Sequence, residues 1–276
     1  MRALVRRHSL AVFVVLAYAI SWADWIPLAL SGALVTPGGP ITHFPGLLGP
    51  ALAAFIVTFL AEGASGVTRL LRSMVVPTRP LWRCLAYGLS PMAFLALAAT
   101  VALVTGATVP ARAFAVYSGL PPLPLPLVLL LVLLFNGYGE ETGWRGFALG
   151  KLQDRFGPVS GTLVLALIWA GWHTPAFFFV EGYRSLGAAG LLGGFGLGIC
   201  AGSIVLARVA SRTGGSVLAV SLWHAAYNLT SATAASRGVI GAITTTCVMI
   251  WAAVLLVQEW RRPLERSRVA VGAPAP

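Results

Sequence analysis

Eight mainly apolar stretches divide this chain, at 9–30, 44–61, 84–105, 123–149, 158–180, 186–207, 216–233 and 239–258. Each approaches the roughly 20 residues that a helix needs to cross the hydrocarbon of a bilayer. Lipid offers backbone N–H and C=O groups no partner, so a run of this kind must close its own hydrogen-bond ladder. Composition agrees: 58% of residues are hydrophobic and 10% charged, against about 25% charged in a soluble domain. The expected fold is all-α, a polytopic membrane bundle of about eight transmembrane helices. It forms a single integral-membrane domain over 1–276, with no inserted soluble domain and no internal repeat. The first run follows Arg2, Arg6 and Arg7 as a signal peptide would, but it continues through Trp25 to Leu30. That exceeds an apolar signal region of about 7–15 residues, so a retained helix is expected.

The basic residues set an orientation. With the N-terminus inside, the inner segments carry 15 of the 19 Lys and Arg residues, and the outer loops carry only Arg112, Arg184 and Arg237. The remaining one, Arg145, lies within the fourth run. Such asymmetry implies an even number of spans and two cytoplasmic termini. The net charge of +11 is scattered between apolar runs, which argues against nucleic acid and for anionic lipid as partner. The basic loop 72–83 is expected to anchor on lipid, and the tail 272–276 to be disordered. Cys84, Cys200 and Cys247 lie in apolar runs without metal-like spacing, and their odd number argues against a disulfide framework. Arginine replaces lysine at all basic positions but Lys151, which suggests a GC-rich bacterial source and hence the inner (plasma) membrane.

Against this background Glu140 and Glu141 stand out in the fourth run, Phe135-Asn136-Gly137-Tyr138-Gly139-Glu140-Glu141-Thr142-Gly143-Trp144-Arg145. Intramembrane carboxylates are costly and mark function by default. Arg145 follows Glu141 by one helical turn on the same face, the favourable order for an ion pair. Glu140 points about 100° away and is expected to be left without that partner. Two histidines also fall in apolar runs, His173 in the fifth and His224 in the seventh, with Asn228 one turn beyond His224. Counting about 1.5 Å per residue from the basic ends places Glu140, His173, His224 and Asn228 roughly 16–24 Å deep. One carboxylate, two imidazoles and a carboxamide at a common depth suit water activation and stabilisation of an oxyanion. No serine or cysteine stands beside either histidine as a covalent nucleophile would.

Glu140-Glu141-Thr142-Gly143-Trp144-Arg145 resembles the EExxxR motif of the CPBP intramembrane proteases, which include CAAX prenyl endopeptidases and bacterial immunity-protein relatives. Trp169 to His173 resembles the second motif, usually FxxxH, with Trp for Phe, a swap expected to conserve packing. His224 to Asn228 resembles the third. The resemblance covers about 125–232 and implies a catalytic core there. It implies Glu140 as general base assisted by His173, with His224 and Asn228 at the oxyanion. Glu141 and Arg145 would hold the site's shape. The expected activity is an intramembrane endopeptidase, of glutamate or metallo type, acting on a membrane-associated protein or peptide. Cofactors stay open. Glu140, His173 and His224 offer three ligands for zinc, but no HExxH helix is present, so no metal is favoured. Two other readings are weaker. A non-catalytic self-immunity or scaffold protein would not need buried charges, and a proton-coupled transporter would show paired broken helices. The glycines at 193, 194, 196 and 198 lack a preceding strand and suit close helix packing. Asn228-Leu229-Thr230 lies inside a span, and Asp24 is expected at the interface.

Overall fold

The computed structural model describes residues 2–108, 111–187 and 189–261. Met1 and residues 262–276, which include Arg262, Arg266 and Arg268 and the expected disordered tail, lie outside the described residues. All eight apolar stretches are largely helical, and the described residues contain no strand, only three isolated bridges between loops. After a short helix at Arg2–Arg7, the main elements are α1 (Ser9–Leu30), α2 (Phe44–Val75), α3 (Leu81–Gly88) and α4 (Pro91–Val104). They continue as α5 (Leu125–Phe156), α6 (Pro158–Trp172), α7 (Gly190–Arg212), α8 (Val217–Ser231) and α9 (Val239–Arg261).

Proline and glycine explain where helix and apolar run part company. The expected third span is two helices meeting at 42°, because Pro91 lacks an N–H and cannot carry the hydrogen-bond ladder of α3 onward. The second run continues to Val75 through a break at Gly63, whose φ of +74° is easy only for glycine. The fourth runs on to Phe156 and stops at Gly157-Pro158. The fifth ends at Trp172 rather than 180, since Pro175 follows. His173 is therefore the residue that closes α6, not a mid-span residue.

Among the described residues five helices are long and apolar enough to cross a membrane, six if α3 and α4 form one bent span. With 15 residues each, α6 and α8 reach about 22 Å, short of a hydrocarbon core of about 30 Å. Eight full crossings are thus not established by length, and the two short helices are those that carry the histidines.

The connections sort into two ends. At one, loops around Val35, Ser118, Val180 and Thr233 are tied by the bridges Val35–Val180, Pro37–Ser118 and Tyr117–Thr233 into a cap. At the other, Thr78 Oγ1 donates to the carbonyls of Thr213 and Gly214 at 2.9 and 2.8 Å, and the arginines gather there. Helix α5 runs through the middle, packed on α2, α6 and α8. Glycine allows this closeness. A Cβ at Gly143 would lie 2.5 Å from the Pro50 carbonyl oxygen of α2, and one at Gly137 2.9 Å from that of Ser221 on α8. Small residues are how membrane helices bring backbones together. Aromatic rings fill the space around this axis. Trp144 is edge-on to Phe13 at 5.5 Å and to Trp172 at 5.7 Å, and Trp25 lies 4.4 Å from Trp172. These tryptophans line the bundle rather than mark its surface.

Candidate active site

The acidic pair sits at an irregularity in α5. Hydrogen bonding widens to i→i+5 at Leu133–Tyr138 and again at Trp144–Ala148, on either side of the α-helical Gly139–Gly143. Each wide turn alters the angular course of the helix, and such turns cluster at functional sites. Here they frame Glu140 and Glu141, which are 2% and 0% exposed.

The two carboxylates have different surroundings. Glu141 Oε1 accepts from Arg145 Nη1 at 2.9 Å and from His224 Nδ1 at 2.7 Å. Arg145, 2% exposed, also donates to Ser203 Oγ on α7 at 3.3 Å. Its guanidinium lies 4.4 Å from the centroid of the Trp169 ring, a cation–π contact. A buried charge is tolerated when its partners are held in place, and Glu141 joins α5 to α8 in this way. The expected Glu141–Arg145 pair is present, and His224 belongs to it.

Glu140 is not free of partners, contrary to the expectation from helical angle alone. Its Oε2 accepts from Trp169 Nε1 at 2.8 Å. The replacement of Phe by Trp in the second motif therefore does more than keep packing, because of the two only Trp carries an N–H. Trp169 also lies 5.6 Å from the His224 ring, and its carbonyl oxygen is 2.7 Å from His173 Nδ1. One indole thus touches Glu140, Arg145 and His224, and its backbone orients His173.

Those bonds assign the imidazole tautomers. A carbonyl or carboxylate oxygen only accepts, so His173 and His224 each carry a proton on Nδ1 and turn Nε2 elsewhere. The His173 ring packs edge-on to Trp172, Tyr183 and Phe195. Among the described residues no hydrogen bond joins Glu140 to His173 directly, and the two meet through Trp169.

Asn228 completes the set from the cap side. It faces the hydroxyl of Tyr117, whose ring is 2% exposed and feels the charge of Glu140. Tyr117 also donates to Asn136 Oδ1 at 3.4 Å. Burial and that nearby carboxylate push the Tyr117 phenol above its ordinary range, so it remains a protonated donor. Sequence reading passed over four residues here. Asn136 stands one turn before Glu140 on the same face, a usable signal. Trp169 was visible as an aromatic swap. Ser203 and Tyr117 carried no local signal, since one is a serine in an apolar helix and the other lies in a loop. His43, also in the cap, is partly buried, with its Nδ1 enclosed and without a hydrogen-bond partner, and is held down to about 4 by loss of solvent. Asp24, expected at the interface, accepts from the Gly46 N–H at 3.1 Å.

The zinc set suggested by the sequence does not assemble. Among the described residues no three His, Cys, Asp or Glu side chains are placed to hold a metal ion. The donor set as arranged does not fit a three-ligand site.

Residues 122–230 match the family model described as Type II CAAX prenyl endopeptidase Rce1-like. This segment contains all six motif residues, from Glu140 to Asn228. Over that segment the chain is similar to the CPBP family. A stretch of 56 residues is 34% identical to the CAAX prenyl protease 2 of Methanococcus maripaludis, covering 20% of this chain and 21% of that protein. The match thus spans about a fifth of that relative's length. The matched segment holds Trp169, Asn136 and Ser203 as well, while Tyr117 and His43 come from outside it.

Proposed function

We propose that this chain is an endopeptidase of the membrane, hydrolysing a peptide bond of a membrane-associated protein or peptide with water activated by Glu140. The observation that carries the reading is the unequal treatment of two adjacent buried carboxylates. Glu141 is bound by a guanidinium and an imidazole through one oxygen. Glu140 is oriented by a single neutral N–H, which leaves its other oxygen to accept a proton.

In the proposed reaction Glu140 takes a proton from water as the water oxygen bonds to the scissile carbonyl carbon. His173 Nε2 offers a second acceptor to orient that water. The carbonyl π electrons move to oxygen, and the resulting oxyanion is stabilised by Asn228 and by His224 when its Nε2 is protonated. Preorganised donors in a site poor in water are the largest usual source of such stabilisation. Collapse breaks the C–N bond, and the proton held by Glu140 passes to the departing amine. Arg145 balances the paired acid throughout. No step needs a metal or a covalent enzyme intermediate.

The basic end of the bundle would face the cytoplasm of a bacterial plasma membrane, with the N-terminus on that side. The substrate class is proposed only as a membrane-associated polypeptide. The test compares membrane-protein termini in cells carrying wild-type protein and Glu140→Gln at equal abundance. Neo-termini that vanish in the variant support the reading. If no terminus changes while a wild-type phenotype persists in the variant, the protein works by binding, as an immunity protein or scaffold would.

A further inference from the structure

At the basic end, three elements that are distant in sequence converge on a polar cavity of about 430 Å³. Arg6 comes from the short N-terminal helix, Arg69 and Glu62 from α2, and Lys151 from the end of α5. Glu62 pairs with Arg69, so three cations face one acid and the cavity keeps a surplus of two positive charges. The surplus is not used internally. Among the described residues Arg6 and Lys151 have no carboxylate partner, and Lys151 only overlies the Phe147 ring at 4.9 Å. Arg69 Nε is buried without a hydrogen-bond partner. Such a donor calls for an explanation, and its side chain lines the cavity together with those of Arg6 and Lys151.

The polar cavity does not stand alone. Glu62, Arg69 and Phe147 also line a second cleft of about 220 Å³, whose other walls include Leu70, Val76 and Gly146. The first cavity is mainly polar and the second mainly apolar. Beside the cleft, Leu71, Val75 and Val76 are 48%, 67% and 53% exposed. We infer that this double cavity binds one anionic phospholipid, its phosphate among Arg6, Arg69 and Lys151 and the start of an acyl chain along the Leu70–Val76 cleft. Charge selects the phosphate, and the apolar annex at the ends of membrane helices selects a lipid over a free anion. Basic clusters at this level draw anionic headgroups with about 1 kcal/mol per cation. The inference does not depend on the proposed protease activity.

The test titrates the full chain, purified in neutral detergent, with phosphatidylglycerol, phosphatidylcholine or inorganic phosphate while following the thermal midpoint. Phosphatidylglycerol is expected to raise the midpoint saturably, and the other two to leave it unmoved. Arg6→Ala and Lys151→Ala break no ion pair, so they should fold, and each should raise the half-saturating lipid concentration by about five-fold. Arg83→Ala, in the same basic end but lining neither cavity, should not. Equal effects of the two lipids, or Arg6 and Lys151 variants that track Arg83→Ala, would overturn the inference. So would inorganic phosphate reproducing the full shift, which would make the site a free-anion site.

Discussion

Changing either glutamate to a neutral residue removes one negative charge from the same turn of α5, yet the two changes should differ in kind. Glu141→Ala strands Arg145, whose side chain is 1% exposed, and removes the acceptor of His224 Nδ1. Breaking a buried pair on one side costs about 3–5 kcal/mol, because the remaining charge is left without compensation. Against a total stability of about 5–15 kcal/mol, that lowers the thermal midpoint by on the order of 10 °C for a chain of this size. Glu140→Gln should cost little, since the amide oxygen can still accept from Trp169 Nε1. It should nevertheless abolish turnover, because an amide cannot take the proton. Glu140→Ala is intermediate: it leaves the indole N–H unsatisfied, a penalty of about 1–3 kcal/mol. Adding Arg145→Met to Glu141→Leu should recover much of the stability lost by Glu141→Leu alone, since the charge to be compensated is gone. The assay pairs thermal melting in detergent with cleavage of a membrane-embedded reporter. Equal loss of stability in Glu140→Gln and Glu141→Ala would refute the division of labour drawn from the hydrogen bonds.

Three further outcomes are expected. Trp169→Phe restores the residue usual in the second motif but deletes the donor to Glu140, so kcat should fall about ten-fold or more with little change in KM; an unchanged kcat would show that the indole N–H is only a packing by-product. Asn228→Ala should lower kcat by about 10²–10³, the usual loss for one oxyanion donor, while dialysis against a strong chelator leaves activity intact; stoichiometric zinc, with activity lost on its removal and regained on its return, would overturn the metal-free route. Burial holds His43 near 4, so an unfolded chain takes up a proton near its ordinary value of about 6.5 that the folded chain refuses. The unfolded state then binds more protons, and stability should drop as pH falls from about 6.5 to about 4; His43→Phe should flatten that slope, as read from melts at stepped pH.

Most of the architecture was legible because lipid leaves a chain so few options. Long apolar runs identified the bundle, and motif spacing picked out six residues, of which Glu140, Glu141, Arg145 and His224 are buried together around Trp169. What stayed hidden has physical causes that differ from residue to residue. Helical angle alone separated Glu140 from Glu141, but it assumes a uniform α-helix, and α5 widens on both sides of the pair. Contact between α5 and α6 likewise depends on rotation of each helix about its axis, which hydropathy does not report. That is why the Trp169–Glu140 bond was read as mere packing. The end of α6 was misplaced because apolarity continues past Pro175 while the helix does not. Tyr117 was beyond reach for another reason: it enters from a loop, positioned by its own bridge to Thr233 and by that of Ser118 to Pro37, and long-range loop pairing leaves no periodic trace. The consequence bears on the site itself. Its proposed acid–base residues are written in the helices, but the donors that aim Glu140 and face Asn228 come from tertiary contacts. Variation at positions 117 and 169 should therefore tune the rate without erasing the motifs.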